Sequence, residues 1–127
     1  LVYGEDLVRH GFSPEDLQGL ETLIVSDVLP NATTALAHYV LPGCAPAEKS
    51  GTFTNVKGRV QRFHAAIAPP GDARPEWEVL AELVEKVTGE RLPADLPRLF
   101  DAMATSVPAF RGLQWSGLGD LGVSVPV

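Results

Sequence analysis

Thr22-Leu23-Ile24-Val25-Ser26-Asp27 is the stretch on which the fold turns. Four apolar or β-branched residues run without a polar interruption and then stop at a hydroxyl and a carboxylate. The run is too short for a helix, and it does not alternate. It therefore predicts a strand buried on both faces, the kind found in parallel sheets. Upstream, Leu1 to Tyr3 is a short apolar run ending at Gly4. Between the two, Ser13-Pro14-Glu15-Asp16 carries a helix start: Ser13 caps, Pro14 suits the first helical position, and the acids suit the positive end of the helix dipole. Downstream, Asn31 caps a short helix predicted over Ala32 to Ala37, and Tyr39-Val40-Leu41 is a third strand stopped by Pro42-Gly43. About a dozen residues lie between the second and third strands, near the minimum for a parallel crossover. Residues 1–42 thus predict one edge of a doubly wound parallel α/β sheet. Three short strands are few for such a sheet, and Leu1 is not an initiator methionine, so the sequence reads as a fragment of a longer protein.

Further along, Thr52-Phe53-Thr54-Asn55 and Arg59-Val60-Gln61-Arg62-Phe63 flank Val56-Lys57-Gly58 and predict a hairpin excursion, ended by Pro69-Pro70-Gly71. Two helices follow. Residues 75–89 open on Pro75, carry Glu76 and Glu78 in the first turn and close on Gly89. Trp77, Leu80, Val84 and Val87 share one face there, which predicts a core contact. Asp95 caps the second helix, predicted to Thr105, with Leu96, Leu99, Phe100 and Met103 as its apolar stripe. Residues 111–127 are glycine-rich and aperiodic and predict an irregular tail with a short strand at Val123 to Val125. The expected division is an α/β segment over residues 1–90 and a C-terminal helix and tail over residues 91–127.

The chain has 127 residues, 45% of them hydrophobic and 20% charged, with a net charge of −6. That composition is globular, and its acidity gives no electrostatic reason to bind nucleic acid or an anionic membrane surface. No apolar run approaches the roughly 20 residues that span a bilayer. Cys44 is the one cysteine, so it forms no internal disulfide and cannot hold an iron–sulfur cluster alone. His10, His38 and His64 lie far apart, without metal-ligand spacing. The expectation is no metal site in this segment.

Three places carry candidate chemistry. Ser26 and Asp27 stand at the carboxyl end of a buried strand, where α/β sheets bind ligands. Their oxygens suit a ribose or a purine, and equally suit the loop's own backbone. Lys49, in Glu48-Lys49-Ser50-Gly51-Thr52, offers an ammonium to phosphate or to solvent; the surrounding pattern is not a nucleotide-hydrolysing P-loop. Arg59 is a fork of donors for phosphate or for a structural partner. No pair of carboxylates stands out as an acid/base dyad, and no catalytic residue is expected here. Cys44 reads as a small buried or loop thiol, and His64 as a residue on a polar face.

Taken in order, Gly4-Glu5-Asp6-Leu7, Val25-Ser26-Asp27, Thr34-Ala35 with Val40-Leu41-Pro42, Glu48-Lys49-Ser50-Gly51-Thr52-Phe53-Thr54-Asn55, Gly58-Arg59-Val60-Gln61 and Pro69-Pro70-Gly71-Asp72-Ala73-Arg74-Pro75-Glu76-Trp77 resemble the molybdopterin oxidoreductases over residues 1–90. In catalytic members, a Ser-Asp pair after the buried strand and the Lys of the Glu-Lys pair contact the guanine dinucleotide of the cofactor. The resemblance puts those roles on Ser26, Asp27 and Lys49, and an acidic residue before a Trp matches at Glu76. One departure is His38, which stands where the family's Ala-Asp-x-x-Leu-Pro has its acid.

Within that family the pattern is similar to the large iron–sulfur subunit of NADH–quinone oxidoreductase, respiratory complex I, because about 38 residues follow Gly89 and catalytic relatives continue into a further pterin-dinucleotide domain. What this resemblance implies is a structural segment whose pterin pocket is vestigial. The parent would carry iron–sulfur clusters in its N-terminal part and pass electrons from NADH and flavin toward quinone. It would sit peripherally on the cytoplasmic side of the membrane, with other peripheral-arm subunits as partners and no direct membrane insertion. The alternative is a segment of a catalytic molybdopterin enzyme such as formate dehydrogenase, holding a pterin guanine dinucleotide near Ser26 and Lys49. On either reading the strand Leu23 to Val25, expected to have lost sheet neighbours, predicts self-association or a rearranged fold of the isolated segment.

Overall fold

The structure, a computed structural model, describes residues 1–125. Its first half is a three-stranded sheet of β1 (Val2–Tyr3), β2 (Ile24–Asp27) and β3 (Tyr39–Pro42), parallel throughout, with β2 in the middle. The α/β class expected from the sequence is the one observed. In β2 the strand begins at Ile24 rather than Thr22. Leu23 leaves the ladder because its N–H goes to Nδ1 of His38, while its carbonyl accepts from the backbones of His38 and Tyr39.

Side chains alternate across a pleated sheet. Register therefore puts Val2, Val25 and Val40 on one face and Tyr3, Ser26 and Leu41 on the other. The valine face closes over a small core of Leu17, Leu23 and Val25, with Leu7, Val8 and Leu36 packed around it. Leu17 comes from α1 (Pro14–Gln18), which starts as predicted, the Ser13 hydroxyl accepting the Asp16 N–H at 3.1 Å. Burial of each such aliphatic side chain contributes about 1.5–3 kcal/mol. The helix expected over Ala32 to Ala37 is a single 3₁₀ turn, Thr34–Leu36. Asn31 and Thr34 exchange side-chain-to-backbone bonds of 2.7 and 2.9 Å, and such bonds compete with helix propagation.

The opposite sheet face meets α2 (Glu76–Thr88), with Tyr3, Ile24 and Leu41 across a hollow from Val79 and Leu83. Gly89 ends α2 at φ +75°, as its position predicted. The face expected to be core is a different one. Leu80 is 38% and Val87 75% exposed, and no residue of α2 is fully buried.

The second half is an antiparallel sheet of β4 (Gly51–Thr54), β5 (Arg59–Phe63) and β6 (Val123–Ser124), with β5 central. The hairpin tip is tied by Asn55, whose Oδ1 accepts the N–H groups of Lys57 and Arg59, and by Gly58 at φ +71°. The segment expected as an irregular tail is bound into a second core. Val60 of β5 packs with Phe100 and Ala104 of α3 (Leu96–Ser106) and with Leu118. Phe100 meets the Phe110 and Trp115 rings edge-on at 6.3 and 5.8 Å. Arg59 takes the structural option left open above, its Nη1 donating to the carbonyls of Leu121 and Gly122, both at 3.1 Å. The last two residues of the 91–127 segment lie outside the described residues.

The excursion returns to where it left. Gly43 and Arg74 form a parallel bridge, the Gly43 N–H donating to the Asp27 carbonyl and the Arg74 N–H to the Pro42 carbonyl. Everything between them, hairpin included, is thus hung from the carboxyl ends of β2 and β3.

Candidate functional site

Those strand ends are where the candidate residues gather. Asp27 is the last residue of β2. Its Oδ1 accepts the N–H groups of Val28 at 2.6 Å and Leu29 at 3.5 Å, and its Oδ2 accepts the Asn31 side-chain amide at 2.7 Å. The carboxylate and the apolar residues Val28, Leu29, Pro30 and Val40 line a hollow of about 470 Å³. A carboxylate offers about four lone-pair directions, so the side chain can hold its loop and still accept from a guest.

Ser26 points to the other face and is 4% exposed. It does not line the Asp27 hollow. Its Oγ lies where Gly43 comes close: a Cβ on Gly43 would stand 3.2 Å from it and 3.3 Å from the Asp27 carbonyl carbon. The glycine lets β3 turn tightly against the end of β2.

Lys49 follows that turn by six residues in the chain. Its Nζ donates to both carboxylate oxygens of Glu76, at 2.6 and 2.7 Å, with both side chains mostly withdrawn from solvent. Lys49, Ser50, Arg74 and Trp77 border a second hollow of about 460 Å³. Asp27 and Lys49 therefore border two separate hollows that share no lining residue. Cys44 is buried, and burial, reinforced by the charges of Glu76 and Glu48, pushes its thiol above the ordinary value. It is an inert thiol rather than a nucleophile. His64 is exposed.

Sequence reasoning did not single out Arg74. Its backbone pairs with β3, and its guanidinium donates to Glu82 at 2.7 and 3.1 Å and to Glu78 at 3.5 Å. The hydrogen bonds that Arg74 donates to Glu82 hold Arg74 above its ordinary pKa and lower that of Glu82. The Arg74/Glu78/Glu82 spacing at the start of a helix was the available signal. Among the described residues no group of three His, Cys, Asp or Glu side chains is arranged to hold a metal ion. No helix among them is long and apolar enough to cross a membrane.

The sequence profile of the molybdopterin oxidoreductases matches residues 12–86, which contain β2, β3, the hairpin and all the candidate residues. The chain belongs to the molybdopterin oxidoreductase family. Similar members include NADPH-Fe(3+) oxidoreductase subunit alpha of Geobacter sulfurreducens, 43% identical over 101 residues, covering 80% of this chain and 12% of that protein. F420-dependent formate dehydrogenase 2 subunit alpha of Methanococcus maripaludis is 40% identical over 112 residues, 87% of this chain and 17% of that protein. The F420-dependent formate dehydrogenase subunit alpha of Methanocaldococcus jannaschii is 35% identical over the same length, with the same coverage. This molybdopterin oxidoreductase chain thus spans 12–17% of the length of these curated relatives. Parent proteins of the family are oxidoreductases, and the family implies a molybdopterin cofactor in them.

Proposed function

We propose that these residues form the nucleotide-binding end of the cofactor site in the alpha subunit of a catalytic molybdopterin oxidoreductase of the formate dehydrogenase kind. The observation that carries the reading is the Asp27 carboxylate, fixed by its own loop at the carboxyl end of a parallel strand and bordering an apolar-walled hollow. A guanine edge presents N–H donors that a carboxylate accepts, and apolar walls suit a flat base. The donor set fits the group: Asp27, with three of about four lone-pair directions used, retains one, and Lys49 has one ammonium N–H beyond the two that Glu76 takes. Asp27 would hold the base, Lys49 would face a phosphate, and Gly43 would keep the strand ends close without a side chain between them. When bound, the pterin cofactor supplies the two-electron redox chemistry. The residues here bind and orient its nucleotide tail.

The relatives quoted above support this reading over the one from NADH–quinone oxidoreductase, whose discriminator was the short stretch after Gly89. One observation favours that second reading. Lys49 is neutralised by Glu76 and Asp27 already accepts three bonds within its loop, as expected of a pocket kept only as architecture. On it the parent would be a peripheral subunit on the cytoplasmic side of a membrane-bound complex, with other subunits as partners.

Elemental analysis of the purified full-length protein, with release of guanine nucleotide on acid treatment, separates the two. The proposal expects molybdenum or tungsten in stoichiometric amount and a guanine nucleotide whose retention drops at least tenfold in Asp27→Ala. Absence of both from protein matured in a cofactor-competent host would exclude it.

A further inference from the structure

Asn31 lines the same hollow as Asp27, and its amide is held in one orientation. The Thr34 N–H donates to its Oδ1 at 2.9 Å, and its Nδ2 donates to Asp27 Oδ2 at 2.7 Å. A backbone N–H cannot accept and a carboxylate has nothing to donate, so the two ends of the amide cannot be exchanged. The amide nitrogen carries two hydrogens, and Asp27 takes one. On the carboxylate, Oδ1 accepts the N–H groups of Val28 and Leu29, whereas Oδ2 accepts only the Asn31 amide. With about two lone-pair directions on each oxygen, the free one is on Oδ2. The oxygen with room to accept and the nitrogen with a hydrogen to spare are thus bonded neighbours at the hollow. The Thr34 hydroxyl, also on its lining, is spent on the Asn31 backbone, accepting its N–H at 2.7 Å and donating to its carbonyl at 2.8 Å.

We propose that Asn31 and Asp27 read a purine together, Oδ2 of Asp27 accepting its N1–H and Nδ2 of Asn31 donating to its O6. This rests on the reading of Asp27 as the residue that holds the base. Such a pair selects a 6-oxopurine and leaves the exocyclic 2-amine unread. That amine would need the second carboxylate oxygen, and both directions of Oδ1 already go to the loop. Hypoxanthine therefore satisfies the pair as guanine does. A carboxylate free to grip N1–H and the amine together would instead favour guanine strongly, because a site built for two donors strands an acceptor when one is missing. Asn31 is also what fixes the plane of the Asp27 carboxylate from outside its own backbone.

The test is calorimetry on cofactor-free full-length protein with guanosine, inosine and 6-thioguanosine diphosphates. The guanosine and inosine nucleotides should bind within about threefold of each other, since they present the same N1–H and O6. The 6-thio nucleotide, whose sulfur is a poor acceptor, should bind at least about fivefold more weakly than guanosine diphosphate. Asn31→Thr keeps an oxygen for the Thr34 N–H and lacks the amide donor, so in that variant the gap between the oxygen and sulfur nucleotides should close. A purely structural role for Asn31 would weaken both nucleotides and leave the gap. Asn31→Ser serves the same purpose if Asn31→Thr does not fold. A larger preference for guanosine over inosine overturns the paired reading, and a gap that persists in the variant overturns the part played by Asn31. Failure of all three nucleotides to bind would overturn the nucleotide reading of the hollow itself, and the inference with it.

Discussion

Nδ1 of His38 accepts the backbone N–H of Leu23 at 2.9 Å, closing the junction between β2 and β3. His38 is the residue that departs from the family's acid. The bond gives His38 a role there: an acceptor for a donor that would otherwise be stranded at a residue 1% exposed. An imidazole accepting at Nδ1 carries its proton on Nε2. We expect a ¹⁵N spectrum at neutral pH to show an unprotonated Nδ1. His38→Ala should cost about 1–3 kcal/mol in urea unfolding, the usual penalty of an unpaired buried donor, whereas His38→Asp should recover most of it.

Asp6 ties the first loop to the turn before β3. Its Oδ1 accepts the hydroxyl of Thr33, itself fully buried, at 2.8 Å. That bond, helped by backbone N–H groups, holds the carboxyl below its ordinary value, against a smaller opposing effect of burial. A lowered folded-state pKa contributes stability that is complete above the unfolded value of about 3.9 and is lost as pH falls through the folded one. Asp6→Asn should therefore flatten the acid limb of a stability–pH curve below about pH 4 and leave its shape near neutrality unchanged. An unaltered acid limb would refute the assignment.

Gly122 has φ +71°, and a Cβ there would collide with the Val60 carbonyl and Gln61. Gly71, at φ +54°, would meet nothing. Gly71→Ala should cost about 1 kcal/mol from backbone strain alone. Gly122→Ala should cost at least about 2–3 kcal/mol more, because β6 must pull away from β5. Thermal unfolding of the two variants side by side measures the difference.

The strand expected to lack neighbours, β2, pairs on both sides, and the sheet edge falls instead to β3, which exposes Tyr39 and Val40, at 64% and 53%. An unpaired apolar edge invites another strand. The 127-residue chain by itself should associate with rising concentration in sedimentation velocity, and Val40→Lys should suppress that association. A monomer at every concentration would count against the edge as its cause.

Local patterns were the legible ones. The Thr22–Asp27 run, the Ser13 and Asp95 caps, the Gly89 stop and the Asn55–Gly58 tip each depend on residues a few positions apart, and each appears within a residue or two of its expected place. The apolar face of α2 was misread because the helix is apolar on two sides. Periodicity favoured Trp77, Leu80, Val84 and Val87, whereas Val79 and Leu83 border the hollow shared with the sheet, and neither side of α2 is fully buried. Pairing of β6 with β5 was hidden for another reason: a two-residue strand about sixty positions from its partner leaves no periodic trace. The site was legible residue by residue, through resemblance, and illegible as an arrangement. Strand alternation alone opposes Ser26 to Asp27 across the sheet, but no local pattern joins Lys49 to Glu76, 27 residues on.

The Gly43–Arg74 bridge makes the chain re-enter the sheet beside the point of departure. Residues 44–73 are therefore an insertion in the geometric sense, with both ends clamped at neighbouring rungs. Changes at the hairpin tip lie far along the chain from the registry of β1 to β3, while changes in β5 are felt in the second core through Val60. A lineage that abandoned its nucleotide could keep this framework intact and change only the loop suspended from it.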